Sequence, residues 1–177
     1  MILSISLVAT GCSAQWISVA LADLPVLMQM ALNIGTLVST LDSGKPLSSA
    51  DAAAIQNISA EASKDLNLLQ ALYNEYKAAP NATTIQKIQS TIADIDQNLP
   101  ALLQAAHISD AMLASRVTAG VNLILTTVNS FATLIPQTGA VSAHAVHQRA
   151  AIPKAKDLKK QWNEQVCGAQ LLGCAVK

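Results

Sequence analysis

The chain has 177 residues, 51% of them apolar, with 11 basic against 11 acidic side chains. That is enough hydrophobic material for one domain with a real core, and it excludes general disorder, which goes with low hydrophobicity and high net charge. Aromatic residues make up only 3% and charged residues 12%, about half the usual charged share, so the core must be built from Ala, Leu, Ile and Val, in tightly packed helices or under a partner that covers some surface.

Residues 1–15 form an apolar run that ends in Ala9-Thr10-Gly11-Cys12, followed by Ser13. A short hydrophobic segment, small residues and then a cysteine resemble a bacterial lipobox. The resemblance implies that residues 1–11 are a signal segment removed before Cys12. It also implies acyl chains (palmitate among them) on the sulfur and new amino end of Cys12. One acyl chain binds a bilayer only marginally, whereas two or more hold a protein there, and this lipoprotein class implies at least two. Ser13 rather than Asp after the cysteine favours, in the Gram-negative sorting pattern, the periplasmic face of the outer membrane. Two other readings of the same residues stay open. One is a buried first helix that contains Cys12. The other is a membrane span over residues 1–22, which is charge-free and long enough; Ser4, Ser6, Thr10, Gly11, Ser13, Gln15 and Ser18 make it a poor one.

Four segments then carry apolar residues at alternating spacings of 3 and 4, the pattern of a helix with one buried seam. The first seam is Ala20, Leu24, Leu27, Ala31, Ile34, Val38, Leu41. The second is Ile55, Ile58, Ala62, Leu66, Leu69, Leu72, Tyr73, Tyr76, and the third Ile85, Ile88, Ile92, Ile95, Leu99, Leu102, Ala106. The fourth is Leu113, Val117, Val121, Ile124, Val128, Phe131, Ile135. No stretch alternates with period two, so no strand is expected. Turn chemistry lies between the segments, at residues 42–46, at Pro80-Asn81 and at residues 136–139. Ser48 with Asp51 resembles a capping box, Asn81 is suited to cap the third helix, and Ser109-Asp110 to start the fourth. Pro25 fits the first turn of a helix, which suggests that the first helix is two pieces meeting near Asp23. Pro100 predicts a kink or break in the third.

Short links favour antiparallel neighbours, so the expected fold is all-α, an up-down-up-down four-helix bundle over residues 12–139. The chain beyond Ile135 then leaves at the end where Cys12 lies. The first helix is apolar nearly all round: Leu21, Val26, Met28, Met30, Leu32 and Leu37 fall off its main seam. Such a helix is buried, lipid-facing or covered by a partner. The six residues are therefore a candidate apolar face for self-association or for a protein partner, with burial at the bundle centre as the plainer alternative.

Charge is unevenly spread. Residues 1–139 are net −4 and residues 140–177 net +4, which suggests an interaction tail. Residues 140–153 read as a linker and residues 154–177 as a basic helix with a cysteine-containing end. In that helix Leu158, Trp162 and Val166 share a face, and Lys154, Lys156, Lys159 and Lys160 are candidate contacts to a membrane surface. The positive charge is modest and no recognised module accompanies it, so nucleic acid is not an expected partner.

Cys167 and Cys174 have six residues between them. On one straight helix their Cα atoms would lie about 10.5 Å apart, beyond disulfide reach, but Gly168 and Gly173 could let the chain fold back. In an exported chain this pair fits a disulfide. His107, His144 and His147 lack a carboxylate pattern that would make them a zinc site, and Asp94 and Asp96, two apart on a helix, diverge. No nucleophile elbow, phosphate loop or paired-cysteine metal motif occurs, so neither catalysis, a cofactor nor a metal is expected. The function expected is non-enzymatic: a lipid-anchored cell-envelope protein with a structural or partner-binding role. The alternatives are a carrier or sensor of apolar small molecules, opening around Met28, Met30 and Phe131, and a membrane-active helical protein.

Overall fold

A computed structural model describes residues 15–40, 47–135, 153–168 and 174–176. These form α1 (Gln15–Thr40), α2 (Ser49–Ala78), α3 (Ala82–Ala105), α4 (Ala111–Ala132) and a short α5 (Ala155–Trp162), which continues into a π-helical turn over Asn163–Cys167. No strand occurs among the described residues. The four long helices pack as a closed antiparallel ring, α1 on α2, α2 on α3, α3 on α4 and α4 on α1. The fold is thus an all-α bundle with a short helix added at its C-terminal side.

The helix starts follow the local chemistry. Asn81 accepts the Thr84 N–H at 2.8 Å and Asp110 accepts the Leu113 N–H at 2.8 Å, each satisfying a donor that the first turn leaves unpaired. Ser48 caps α2 by accepting the Asp51 N–H at 3.0 Å. The second half of that box is diverted: the buried Asp51 carboxylate accepts from the Ser109 N–H (3.2 Å) and hydroxyl (3.3 Å) instead. Asp51 thereby ties the start of α2 to the link between α3 and α4.

The expectation of a two-piece first helix at Pro25 needs correction, and no break occurs at Pro100. The first helix is one piece, starts at Gln15, and holds Pro25 in its interior; α3 runs through Pro100 as far as Ala105. An interior proline costs about 3 kcal/mol. Around Pro25, Leu24, Val26, Leu27 and Met30 are buried, at about 1.5–3 kcal/mol for each large apolar side chain, so packing outweighs the break.

Trp16 and Ile17 are buried before the predicted seam begins. Trp16 packs edge-on to Tyr73 at 5.6 Å and lies 5.8 Å from Tyr76, while Tyr73 packs edge-on to Phe131 at 6.3 Å. Nearly all the aromatic material of the chain thus closes one end of the bundle, where α1 begins and α2 and α4 finish. The start of α1 and the departure of the chain after α4 share that end, as the even number of helices requires.

The third seam is buried from Ile85 to Leu99 and then opens, with Leu102 only half-buried. Buried threonines in α3 and α4 satisfy themselves: Thr91 donates to the Lys87 carbonyl at 2.9 Å and Thr127 to the Leu123 carbonyl at 2.8 Å.

Candidate functional site

Cys12 and residues 1–11 lie outside the described residues. Trp16, at the start of α1, is held in the aromatic cluster at the end of the bundle.

The six apolar residues singled out on the first helix split into two groups. Val26, Met30 and Leu37 are buried in the core of the chain itself and are not available as a contact face. Leu21 and Met28 are half-buried, and Leu32 is 60% exposed. With the exposed Pro25, Leu21, Met28 and Leu32 form an outward stripe at spacings of 4, 3 and 4. The reason for the split is that α1 packs against three elements, α2, α4 and α5. One seam serves α2 and α4, and a second stripe is covered in addition, which is why the helix is apolar nearly all round. Only its fourth side faces outward. Two helical stretches, Trp16–Ser39 and Ala111–Ala132, are long and apolar enough to cross a membrane by length and composition, and about half of each is buried inside the protein.

The basic C-terminal helix is an integral part of the body. Leu158, Trp162 and Val166 are buried, and the Trp162 ring lies over Gly120 of α4, where an added Cβ would come within 3.0 Å of it and 3.4 Å of Ile34. The N-terminus of α5 has no side-chain cap of its own; Asp23, from the middle of α1, accepts the Ala155 N–H. The other end of this segment reaches the level of Asn33, whose amide donates to the Cys174 carbonyl at 3.0 Å. Helix α5 therefore runs alongside α1, away from the aromatic end. Lys154, Lys156 and Lys160 are exposed, with Lys160 3.9 Å from Glu164, and Lys159 is half-buried. An exposed pair of that length contributes little to stability.

Asp23 is buried and its Oδ2 has no hydrogen-bond partner. Burial raises its carboxyl above the ordinary 3.8, only partly opposed by the Ala155 N–H. Asp65 on α2 is raised in the same sense, first by burial and then by the charge of Glu61. A raised folded-state value means that the folded protein holds the proton more tightly than the unfolded chain. The stabilisation from that proton is complete below about pH 3.8 and is lost as pH rises through the raised value. Asp23→Asn keeps an acceptor for Ala155 and removes this penalty. Thermal unfolding at pH 4 and pH 7 should show the variant gaining on the wild type as pH rises; a gap that shrinks would contradict the assignment.

Cys167 and Cys174 are joined by a disulfide with their Cα atoms 5.5 Å apart. The fold-back is made at Gly168, whose φ of 63° lies in the left-handed region that favours glycine; Gly173 lies outside the described residues. His107 occupies the α3–α4 link with φ 42°, and His144 and His147 are outside the described residues. Asp94 and Asp96 do diverge: Asp94 faces Asp65 on α2, and Asp96 accepts from the Asn129 amide of α4 at 2.7 Å. Among the described residues no group of three His, Cys, Asp or Glu is placed to hold a metal ion. An open groove of about 400 Å³ between α2 and α3 is lined by Asn57, Glu61, Asn98, Ala101 and Leu102. Met30 and Phe131, around which the alternative small-molecule carrier would open, are fully buried among core residues, and Met28 is partly buried.

Sequence reasoning missed the buried Asp23 cap and the covering of α1 by α5. Neither has a local signal, because both join residues far apart in the chain. No family model, curated protein or solved structure matches this chain.

Proposed function

We propose that this chain is a lipid-anchored protein of the bacterial cell envelope, held through Cys12 at the periplasmic face of the outer membrane, with a structural or partner-binding role rather than a catalytic one. The observation that carries the reading is the short reach between the lipobox cysteine and the rigid body: α1 starts at Gln15 and its Trp16 is already packed into the core. Three residues span at most about 10 Å, so acyl chains on Cys12 would hold the aromatic end of the bundle against the bilayer. The Cys167–Cys174 disulfide supports an oxidising compartment. The outward stripe of Leu21, Pro25, Met28 and Leu32 is the surface on which a partner or a second copy would rest.

Magnitudes favour lipid over charge as the anchor. A lysine at an anionic surface contributes about 1 kcal/mol, falling off within a Debye length of about 8–10 Å. Helix α5 starts beside Asp23, about 12 Å along α1 from Gln15 at 1.5 Å per residue. Lys154 and Lys156 stand nearest the membrane and Lys159 and Lys160 farther off, all largely screened. Cys12→Ala is therefore expected to move the protein from the membrane to the soluble fraction. Replacing Lys154, Lys156, Lys159 and Lys160 together with Gln should leave it membrane-bound at physiological salt. A Cys12→Ala protein that stays on membranes in high salt would refute the tether.

A further inference from the structure

We propose that the Cys167–Cys174 disulfide is a maturation latch: α5 docks stably between α1 and α4 only after the two thiols are oxidised. The inference starts from the carbonyl oxygen of Cys174. Two side chains donate to it, the fully buried Trp162 indole N–H at 3.0 Å and the Asn33 amide of α1 at 3.0 Å. Two residues on, Val176 is clamped to Asn163: its N–H donates to Asn163 Oδ1 at 2.9 Å, and Asn163 Nδ2 donates to its carbonyl at 3.3 Å. Residues 174–176 thus form a lid that satisfies Trp162 and joins α5 to α1. The covalent bond that brings this lid back over the helix is the disulfide.

Helix α5 cannot stand by itself. Its eight residues and the five of the π-helical turn that continues it only just reach the roughly 12–15 at which an isolated helix is marginal in water, and Lys154 leaves its N-terminus without a side-chain cap of its own. With the disulfide absent, residues 174–176 are free to leave, and the Trp162 N–H is then buried without an acceptor, a costly state. Undocking exposes the groove over Gly120 and Ile34 but leaves the aromatic end of the bundle, built from α1, α2 and α4, intact.

Chemically, the two thiols give up two protons and two electrons as the Sγ–Sγ bond forms. The oxidant is a disulfide, carried by an oxidoreductase or a small molecule, which is reduced to its dithiol. Both cysteines are buried once the bond is made, so a reductant reaches them only after the lid opens and the latch stays closed. If the chain is exported, as the proposed function has it, α5 would hang free before export and close afterwards.

The test is hydrogen exchange on the full chain, comparing the oxidised protein, the wild-type chain refolded under reducing conditions, and the Cys167→Ser/Cys174→Ser double variant. Amides of α5 should exchange about 10- to 100-fold faster in the last two, the scale of the loop-closure entropy of so small a ring, while α2 and α3 keep their protection. Equal protection of α5 in all three forms overturns the latch. Loss of protection throughout α2 and α3 in both thiol-free and reduced forms overturns it as well, since the bond would then hold the whole fold. Neither result bears on Cys12, whose fractionation test stands separately.

Discussion

Trp162→Ala removes about 3–5 kcal/mol from the docking of α5, the usual cost of truncating a buried tryptophan. The ring is fully buried over Gly120, its N–H is taken by the Cys174 carbonyl at 3.0 Å, and Leu158 and Val166 flank it one turn away on the same covered face. Truncation leaves a void that a helix of eight residues cannot close, and it strips a polar contact from the lid. Since whole domains are stable by only about 5–15 kcal/mol, the loss is enough to free the segment. Limited proteolysis after Lys156, Lys159 and Lys160 should become fast, and the midpoint of urea unfolding should fall. Trp162→Phe, which keeps most of the ring but no donor, should lose roughly 1–2 kcal/mol. An alanine variant that resists protease as the wild type does would mean that α5 merely rests on the surface.

Gly35→Leu should destabilise the bundle by about 3 kcal/mol or more, through a different interface. A Cβ at Gly35 would stand 2.9 Å from Ser59 Oγ and 3.1 Å from Gln56 Oε1. Those same two side chains tie α2 to α1: the Ser59 hydroxyl donates to the Ala31 carbonyl at 2.7 Å and the Gln56 amide to the Gly35 carbonyl at 2.9 Å. Leucine would force the helices apart, at about 1–3 kcal/mol for overpacking, and would break both bonds, at about 0.5–1.5 kcal/mol each. A fall in melting temperature of roughly 6–12 °C corresponds to that loss in a chain of this size. Gly35→Ala places the same Cβ 2.9 Å from the hydrogen-bonded Ser59 hydroxyl, but adds no further atoms and gains close to 1 kcal/mol of helix propensity, so it should lose clearly less than leucine. If leucine were tolerated as well as alanine, α1 and α2 would not approach as closely as described.

The four seams were legible because burial on one side of a helix writes itself into the sequence every three or four residues, and Ala20 through Ile34 or Ile85 through Leu99 follow that rhythm. Caps were legible too, since Asn81 and Asp110 act within one turn of their own position. The covered face of α5 was visible as Leu158, Trp162 and Val166, and the surplus apolar character of α1 as Leu21, Val26, Met28, Met30, Leu32 and Leu37, of which only Val26, Met30 and Leu37 are buried. That the short helix lies along α1 was not, because spacing along a chain reports which side is buried and never against what. Pro25 misled for a related reason: its local preference for a first turn yields to the packing of Leu24, Leu27 and Met30 around it. Asp23 looked like a helix boundary and is instead the cap of a helix far along the chain. The proposed tether is legible only as a resemblance, carried by residues 9–12.

The proposed function requires a disulfide-closed helical body held to a bilayer by acyl chains on Cys12. Intact mass spectrometry of the protein taken from its native membranes in detergent, with alkylation before and after reduction, tests it most directly. The expected species begins at Cys12, carries the added mass of acyl groups, and binds alkylating reagent at Cys167 and Cys174 only after reduction. A soluble chain that retains residues 1–11 and takes up reagent at an unmodified Cys12 would contradict it.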